Sequence, residues 1–198
     1  MFRASGFVVA LAFLALILVP GCTAVQQLTA LRTVTFAFSH ISDVRIAGIR
    51  IGEGMNFTSL GPADVARLTA AVLAKEVPLD LVAHVNATNP SENTVAANMV
   101  NLGWKLFIED RQMLTGELGN PISITPGQTA DVPLTVRLDL VTLGSGGAKD
   151  LYDLAIAIAG QGTIKKDLRL ELAPTIQTSL GPIRYPAPVV VRRAAPGS

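Results

Sequence analysis

Apolar and polar residues alternate with a period of two over most of the chain, the spacing of strands that bury one face. Val34, Phe36 and Phe38 alternate with Thr35 and Ala37; Val44 and Ile46 hold the same parity, and Ile49 and Ile51 take the opposite one. The change of phase at Ala47-Gly48 predicts a bulge or a sharp bend. A strand opened by Pro78 sets Leu79, Leu81, Ala83, Val85 and Ala87 against Asp80, His84 and Asn86. Val100, Leu102, Trp104, Leu106 and Ile108 form the next buried face; Asp110-Arg111 turns the chain, and residues 112–118 return it. Val132, Leu134, Val136, Leu138 and Leu140 alternate with Pro133, Thr135, Arg137 and Asp139, and Ile164, Leu168, Leu170 and Leu172 oppose Lys165, Asp167, Arg169 and Glu171.

A helical period occurs in two places. Over residues 62–75, Val65, Leu68 and Val72 share one face, Ser59 or Gly61 can cap, Pro62 suits the first turn and Asp64 favours the amino end. Over residues 149–159, Leu151, Leu154 and Ile158 share a face, although Leu154-Ile156-Ile158 also permits a strand. Asn89-Pro90-Ser91, Thr125-Pro126-Gly127 and Gly144-Ser145-Gly146-Gly147 are turn and loop signals. Pro182, Pro186 and Pro188 restrict residues 176–191 to an edge strand or a covering segment. About seven strands with one-sided alternation and frequent turns predict an all-β class: an antiparallel immunoglobulin/fibronectin III-like β-sandwich with one or two short helices.

The first residues break this pattern. Arg3 precedes a charge-free stretch, and the apolar run of residues 7–19 ends in Pro20-Gly21 before Cys22, the single cysteine. A 13-residue run is shorter than the roughly 20 residues a membrane-spanning helix needs. It reads as the core of a secretory signal over residues 1–21, with Cys22 as the point of lipid attachment. Ordinary cleavage after Ala24 and an uncleaved anchor are the competing readings. Residues 22–33 then form a linker, residues 34–191 the sandwich, and residues 192–198 a disordered tail. Thr23, where an Asp would retain the protein at the inner membrane, points to the periplasmic face of the outer membrane.

Composition narrows the function classes. Removing residues 1–21 takes away one charge, Arg3, so 16 basic and 15 acidic residues become 15 and 15. A neutral domain with dispersed charges has no electrostatic footprint for nucleic acid. With Cys22 acylated, no thiol remains for a disulfide, a metal or catalysis. His40 and Asp43 could be read as a metal pair or half of a catalytic triad, but a polar cluster at a strand end explains them as well; His84 falls on the polar parity of its strand, as a surface residue does. No nucleophile elbow, zinc motif or phosphate loop is present. The expectation is therefore a protein without cofactor or metal and without enzymatic activity. Trp104 alternates with core residues and reads as core. The Val65/Leu68/Val72 stripe packs against a sheet or, alternatively, forms part of a partner or ligand groove.

The order of these features resembles the type 2 late-embryogenesis-abundant family, also called the WHy (water stress and hypersensitive response) domain. The resemblance runs over residues 34–190. It rests on the strand Val77-Pro78-Leu79-Asp80-Leu81-Val82-Ala83-His84-Val85-Asn86 followed by Asn89-Pro90, on the strand of residues 102–108 with Asp110 and Gly116 after it, on Ile124-Thr125-Pro126-Gly127-Gln128-Thr129 before Val132-Pro133-Leu134, and on Gly181-Pro182-Ile183. Two departures are Ser91, where the family often repeats Asn, and the helix of residues 62–75, which looks like an insertion. The resemblance implies a β-sandwich with one helix and a link to desiccation and envelope stress. Asn89-Pro90 has a structural reading of its own, since Pro fixes φ and Asn bonds local backbone to end a strand. The function expected is a lipid-anchored protective protein of the envelope; the alternative is a binding module for an apolar ligand such as lipid, or for an envelope protein.

Overall fold

The computed structural model describes residues 33–162, 164–178 and 181–193. The signal reading, Cys22 and the linker up to residue 32 lie outside the described residues. Two antiparallel sheets share one apolar core, and the fold is all-β with two short helices. The first sheet has the order β2-β1-β3-β7, from β1 (Thr35–Ile46), β2 (Ile49–Arg50), β3 (Pro78–Thr88) and β7 (Thr129–Asp139). The second has the order β10-β8-β4-β5, from β4 (Ala97–Ile108), β5 (Arg111–Leu118), β8 (Leu168–Thr178) and β10 (Val189–Arg193). Short β6 (Ile122–Ile124) pairs with the start of β4, and β9 (Gly181–Arg184) with the end of β8. The sheets meet at their margins, β1 against β10 on one side and β5 and β6 against β7 on the other.

The inward rows follow the period-two pattern. β3 buries Leu79, Leu81, Ala83, Val85 and Ala87, and β7 buries Val132, Leu134, Val136 and Leu138. Facing them are Leu102, Trp104, Leu106 and Ile108 of β4 and Leu168, Leu170, Leu172 and Ile176 of β8. At about 1.5–3 kcal/mol for each fully buried large aliphatic side chain, this double layer is the main source of stability in a domain without cross-links. One inward residue differs from expectation. Met99, not Val100, is buried, because the β4–β8 register shifts between Met99 and Asn101 and reverses the parity below that point.

Ala47-Gly48 is a two-residue hairpin turn: both residues have positive φ (47° and 78°), and Arg45–Arg50 and Ile46–Ile49 pair across it. Two consecutive positive φ values are the geometry that matches strand twist in a tight hairpin. Glu109-Asp110, with φ 49° and 63°, repeats the device between β4 and β5.

The helical patterns become α1 (Pro62–Leu73) and α2 (Ala148–Ala159). Pro62 opens α1 after Gly61, and Leu68 is fully buried while Val72 packs partly against the core. α2 is a helix, not a strand, because Leu151, Ala155 and Ile158 bury one side, with Tyr152 and Ala159 beside them. Its start is tied by Gly147 N–H donating to Asp150 Oδ2 at 2.9 Å, and Gly160 ends it at φ 73°. Arg192 and Arg193, expected in a disordered tail, instead extend β10 beside Arg169 and Leu168; the rest of that expected tail lies outside the described residues. Among the described residues no helix is long and apolar enough to cross a membrane.

Candidate functional site

The sequence-derived residues fall in three places. Leu68 is closed off in the core between half-buried Val65 and Val72. The exposed large apolar residue of α1 is Leu73, at its last position. Asn89 is a buried latch, with Pro90 following it into the turn. Its Nδ2 donates to Ile124 O at 2.8 Å and Val95 O at 3.2 Å, and its Oδ1 accepts from Asn93 Nδ2. Its backbone closes against the 125–128 turn, through Asn89 N–H to Gln128 O (2.9 Å) and Gly127 N–H to Asn89 O (2.8 Å). One side chain thus joins the end of β3, the approach to β4 and the end of β6, a longer reach than the local backbone bond expected from the Asn-Pro pair.

An open cavity of about 360 Å³ lies on the outer face of the second sheet. Its floor is Gly103 of β4 beside its cross-strand partner Ala173 of β8. Because neither carries a large side chain, the sheet surface dips there. Glu117 and Thr115 of β5 border one side, Lys105 and Glu171 the next row, and Arg184, Tyr185, Pro186 and Pro188 form a wall from the β9–β10 connection. Glu171 is held by Arg169, whose guanidinium carbon also lies 3.7 Å from the Phe107 ring centre. Lys105, Glu117 and Arg184 have no ion-pair partner among the described residues, so both signs of charge are available to a visitor. Beneath the floor Trp104 is buried, lying over Gly116 so closely that a Cβ there would be 2.2 Å from the indole Cζ2. The prolines were legible in sequence as a covering segment. The cavity was not, because it depends on which small residues of β4 and β8 stand side by side.

A second polar centre sits where β1 is irregular. His84 is not a simple surface residue: its side chain is 15 % exposed, its Nδ1 lies 2.8 Å from Asp131 Oδ2 and its Nε2 lies 2.8 Å from Ser42 Oγ. The His40 ring stacks on it, with centres 4.2 Å apart and planes 9° from parallel. Nearby, a cavity of about 390 Å³ opens between β1, the end of α2 and the end of β10, and His40 is one of its lining residues. Arg193 closes the base of this region. Its Nη2 donates to Ile158 O at 2.7 Å and to Lys166 O at 3.0 Å, so a cation satisfies the carbonyl end of α2, where the helix dipole is negative. Burial pulls this guanidinium below its usual range and Asp167 opposes the shift; an arginine remains a cation at neutral pH regardless. Asp43 takes φ 51° and is exposed, and the described residues contain no cluster of three or more His, Asp or Glu side chains arranged to hold a metal ion.

No family model and no curated protein matches the sequence. Among solved structures, the chain is similar to a crystal structure of a protein from Archaeoglobus fulgidus, at 14 % identity and a TM-score of 0.36, over 77 % of this chain and 92 % of that one. It is also similar to the solution structure of a candidate late embryogenesis abundant (LEA) protein, At2g46140.1, at 13 % identity and a TM-score of 0.36, over 98 % of this chain and 92 % of that one. Likenesses at this level carry no argument about activity.

Proposed function

We propose that the protein is an envelope-tethered binding module, lipid-anchored through Cys22, that protects its surroundings during drying or osmotic stress. The observation that carries the binding role is the cavity over Gly103 and Ala173, with Lys105, Glu117 and Arg184 free to meet a polar partner. Its mixed charge suits a segment of an envelope protein better than an alkyl chain. The anchoring rests on the Arg3-to-Cys22 layout, and the protective role on the resemblance to type 2 late-embryogenesis-abundant proteins. Nothing in this role requires a reaction.

Gly103 offers a clean test. A Cβ there meets Ala173 and Arg184 atoms at 3.5–3.8 Å, ordinary contact distances, so Gly103→Phe fills the cavity and leaves the sheet intact. A host lacking the gene should survive drying less well, and wild type should restore survival. Gly103→Phe should restore it poorly, and Cys22→Ser should lose both acyl label and membrane association. Unchanged survival of the deletion strain rejects the protective role. Full rescue by Gly103→Phe rejects the cavity.

A further inference from the structure

Ser42, His84 and Asp131 come from three neighbouring strands, β1, β3 and β7, and form one linear array. A carboxylate only accepts hydrogen bonds, so Asp131 assigns the imidazole proton to Nδ1 of His84. Nε2 then presents its lone pair to the Ser42 hydroxyl, which donates across 2.8 Å. That is the connectivity by which a carboxylate-oriented histidine activates a serine. Other polar pairs on this outer face, Thr88 with Thr129 and Asp80 with Arg137, join two strands only.

The chain is irregular at the place this array needs. The β1–β3 register breaks between Phe38 and Ile41 and again between Ser42 and Arg45, and Asp43, directly after the serine, takes φ 51°. His40 covers one face of the His84 ring and also lines the 390 Å³ cavity, together with Ser39 and Ile41, the residues just before Ser42. The rest of the cavity wall includes Glu53, Gln161 and Arg192, whereas Ser42, His84 and Asp131 stand outside it on the outer face of the sheet.

The geometry points to Ser42 as a nucleophile, with His84 as its general base and Asp131 as the positioning residue, acting on carboxylic esters. Ser42 Oγ attacks the ester carbonyl carbon while its proton passes to His84 Nε2. The tetrahedral adduct collapses, the bond from carbonyl carbon to alcohol oxygen breaks, and His84 returns the proton to the departing alcohol. Water then attacks the acyl-serine and gives a proton to His84. The carboxylic acid is released as Ser42 recovers its hydrogen, so ester and water become acid and alcohol.

The test uses the full chain with a fluorophosphonate probe and with 4-nitrophenyl acetate and octanoate. Expected are one phosphonyl adduct, mapped by peptide mass to Ser42, and ester turnover above the uncatalysed rate. Ser42→Ala and His84→Ala should remove label and turnover, a loss on the order of 10²-fold or more for a general base. Asp131→Asn should lower kcat at least tenfold with KM unchanged, which loss of a merely structural bond would not do. Wild-type labelling needs no variant to fold, and matching urea midpoints show that Ser42→Ala does fold. No adduct at Ser42, or turnover in Ser42→Ala within twofold of wild type, would overturn the assignment.

Discussion

Replacing Asn89 tests whether a single buried amide holds three segments together. Its side chain is completely inaccessible and gives two donor bonds to main-chain carbonyls, at 2.8 Å to Ile124 and 3.2 Å to Val95. Asn89→Ala leaves those carbonyls without this donor. A buried polar group that loses its partner costs about 1–3 kcal/mol, and Val95 O is only partly buried, so the total loss should be about 2–4 kcal/mol. Asn89→Asp is the sharper probe. It keeps the volume but directs an acceptor-only oxygen at two carbonyl oxygens, so it should be less stable than Ala at pH 7. The buried carboxyl would have its pKa raised above the unfolded value of about 3.9. Its neutral form is therefore favoured by folding, and stability should fall as pH rises through the folded value. Urea unfolding at pH 7 and pH 4 measures all three chains, with midpoints compared at constant slope. The order wild type, Ala, Asp at pH 7, with the Ala–Asp gap narrowing at pH 4, is the expected outcome. A loss below about 0.5 kcal/mol for Ala, less than one neutral hydrogen bond, or an Asp variant matching wild type, would refute the latch.

Two further outcomes follow from packing. Gly116→Val should destabilise by about 3 kcal/mol or more through overpacking, because even a Cβ there would lie 2.2 Å from the Trp104 indole; with a single tryptophan in the chain, a red-shifted fluorescence maximum reports its displacement. Tyr152 is fully buried, and its hydroxyl has no partner among the described residues, so Tyr152→Phe should leave stability unchanged or raise it by about 1 kcal/mol. Burial, and secondarily Asp153, raise the Tyr152 pKa above 10.0. Its contribution is therefore complete below the unfolded value and lost as pH rises through the folded one. Alkaline unfolding curves should show that loss in wild type and a smaller one in Tyr152→Phe.

Most of the sandwich was legible because a strand with one buried face writes that burial in every second residue. β3 and β7 pair without a break from Pro78–Asp139 to Thr88–Thr129, and their inward rows are the alternating residues of the sequence. The turns were legible for a local reason too, since Asn, Gly and Pro supply their dihedral angles directly. Where a strand carries an extra residue, parity stops being a guide, and the Met99/Val100 exchange on β4 is the mild case.

The stronger case is β1, and there the polar centre was hidden. Ser42 shares the even parity of Phe36, Phe38 and Val44, so strict alternation would point it into the core beside them. The register shows otherwise: Phe38 faces Val85, Ile41 faces Ala83, Ser42 faces Val82 and Arg45 faces Asp80. From Phe38 to Ile41 β1 advances three residues while β3 moves two, and from Ser42 to Arg45 it does so again. The first extra residue turns Ile41 inward and Ser42 outward; the second restores the original parity in time for Val44 and Ile46 to be buried. Two compensating insertions leave the phase on either side unchanged, so their trace is confined to Ile41 on the outward parity and His40 and Ser42 on the inward one. The net effect is to place one hydroxyl on the outer face next to His84. Asp131 completes the array from β7, 89 residues after Ser42 in the chain, a separation at which no local motif could reveal it. Smoothing the first irregularity with every residue retained would bring Ser42 opposite Leu81 and return it to the inward row. It would also turn Val44 and Ile46 outward unless the second irregularity dissolved. The chemistry assigned to Ser42 therefore depends on the paired insertions, and the core depends on there being two.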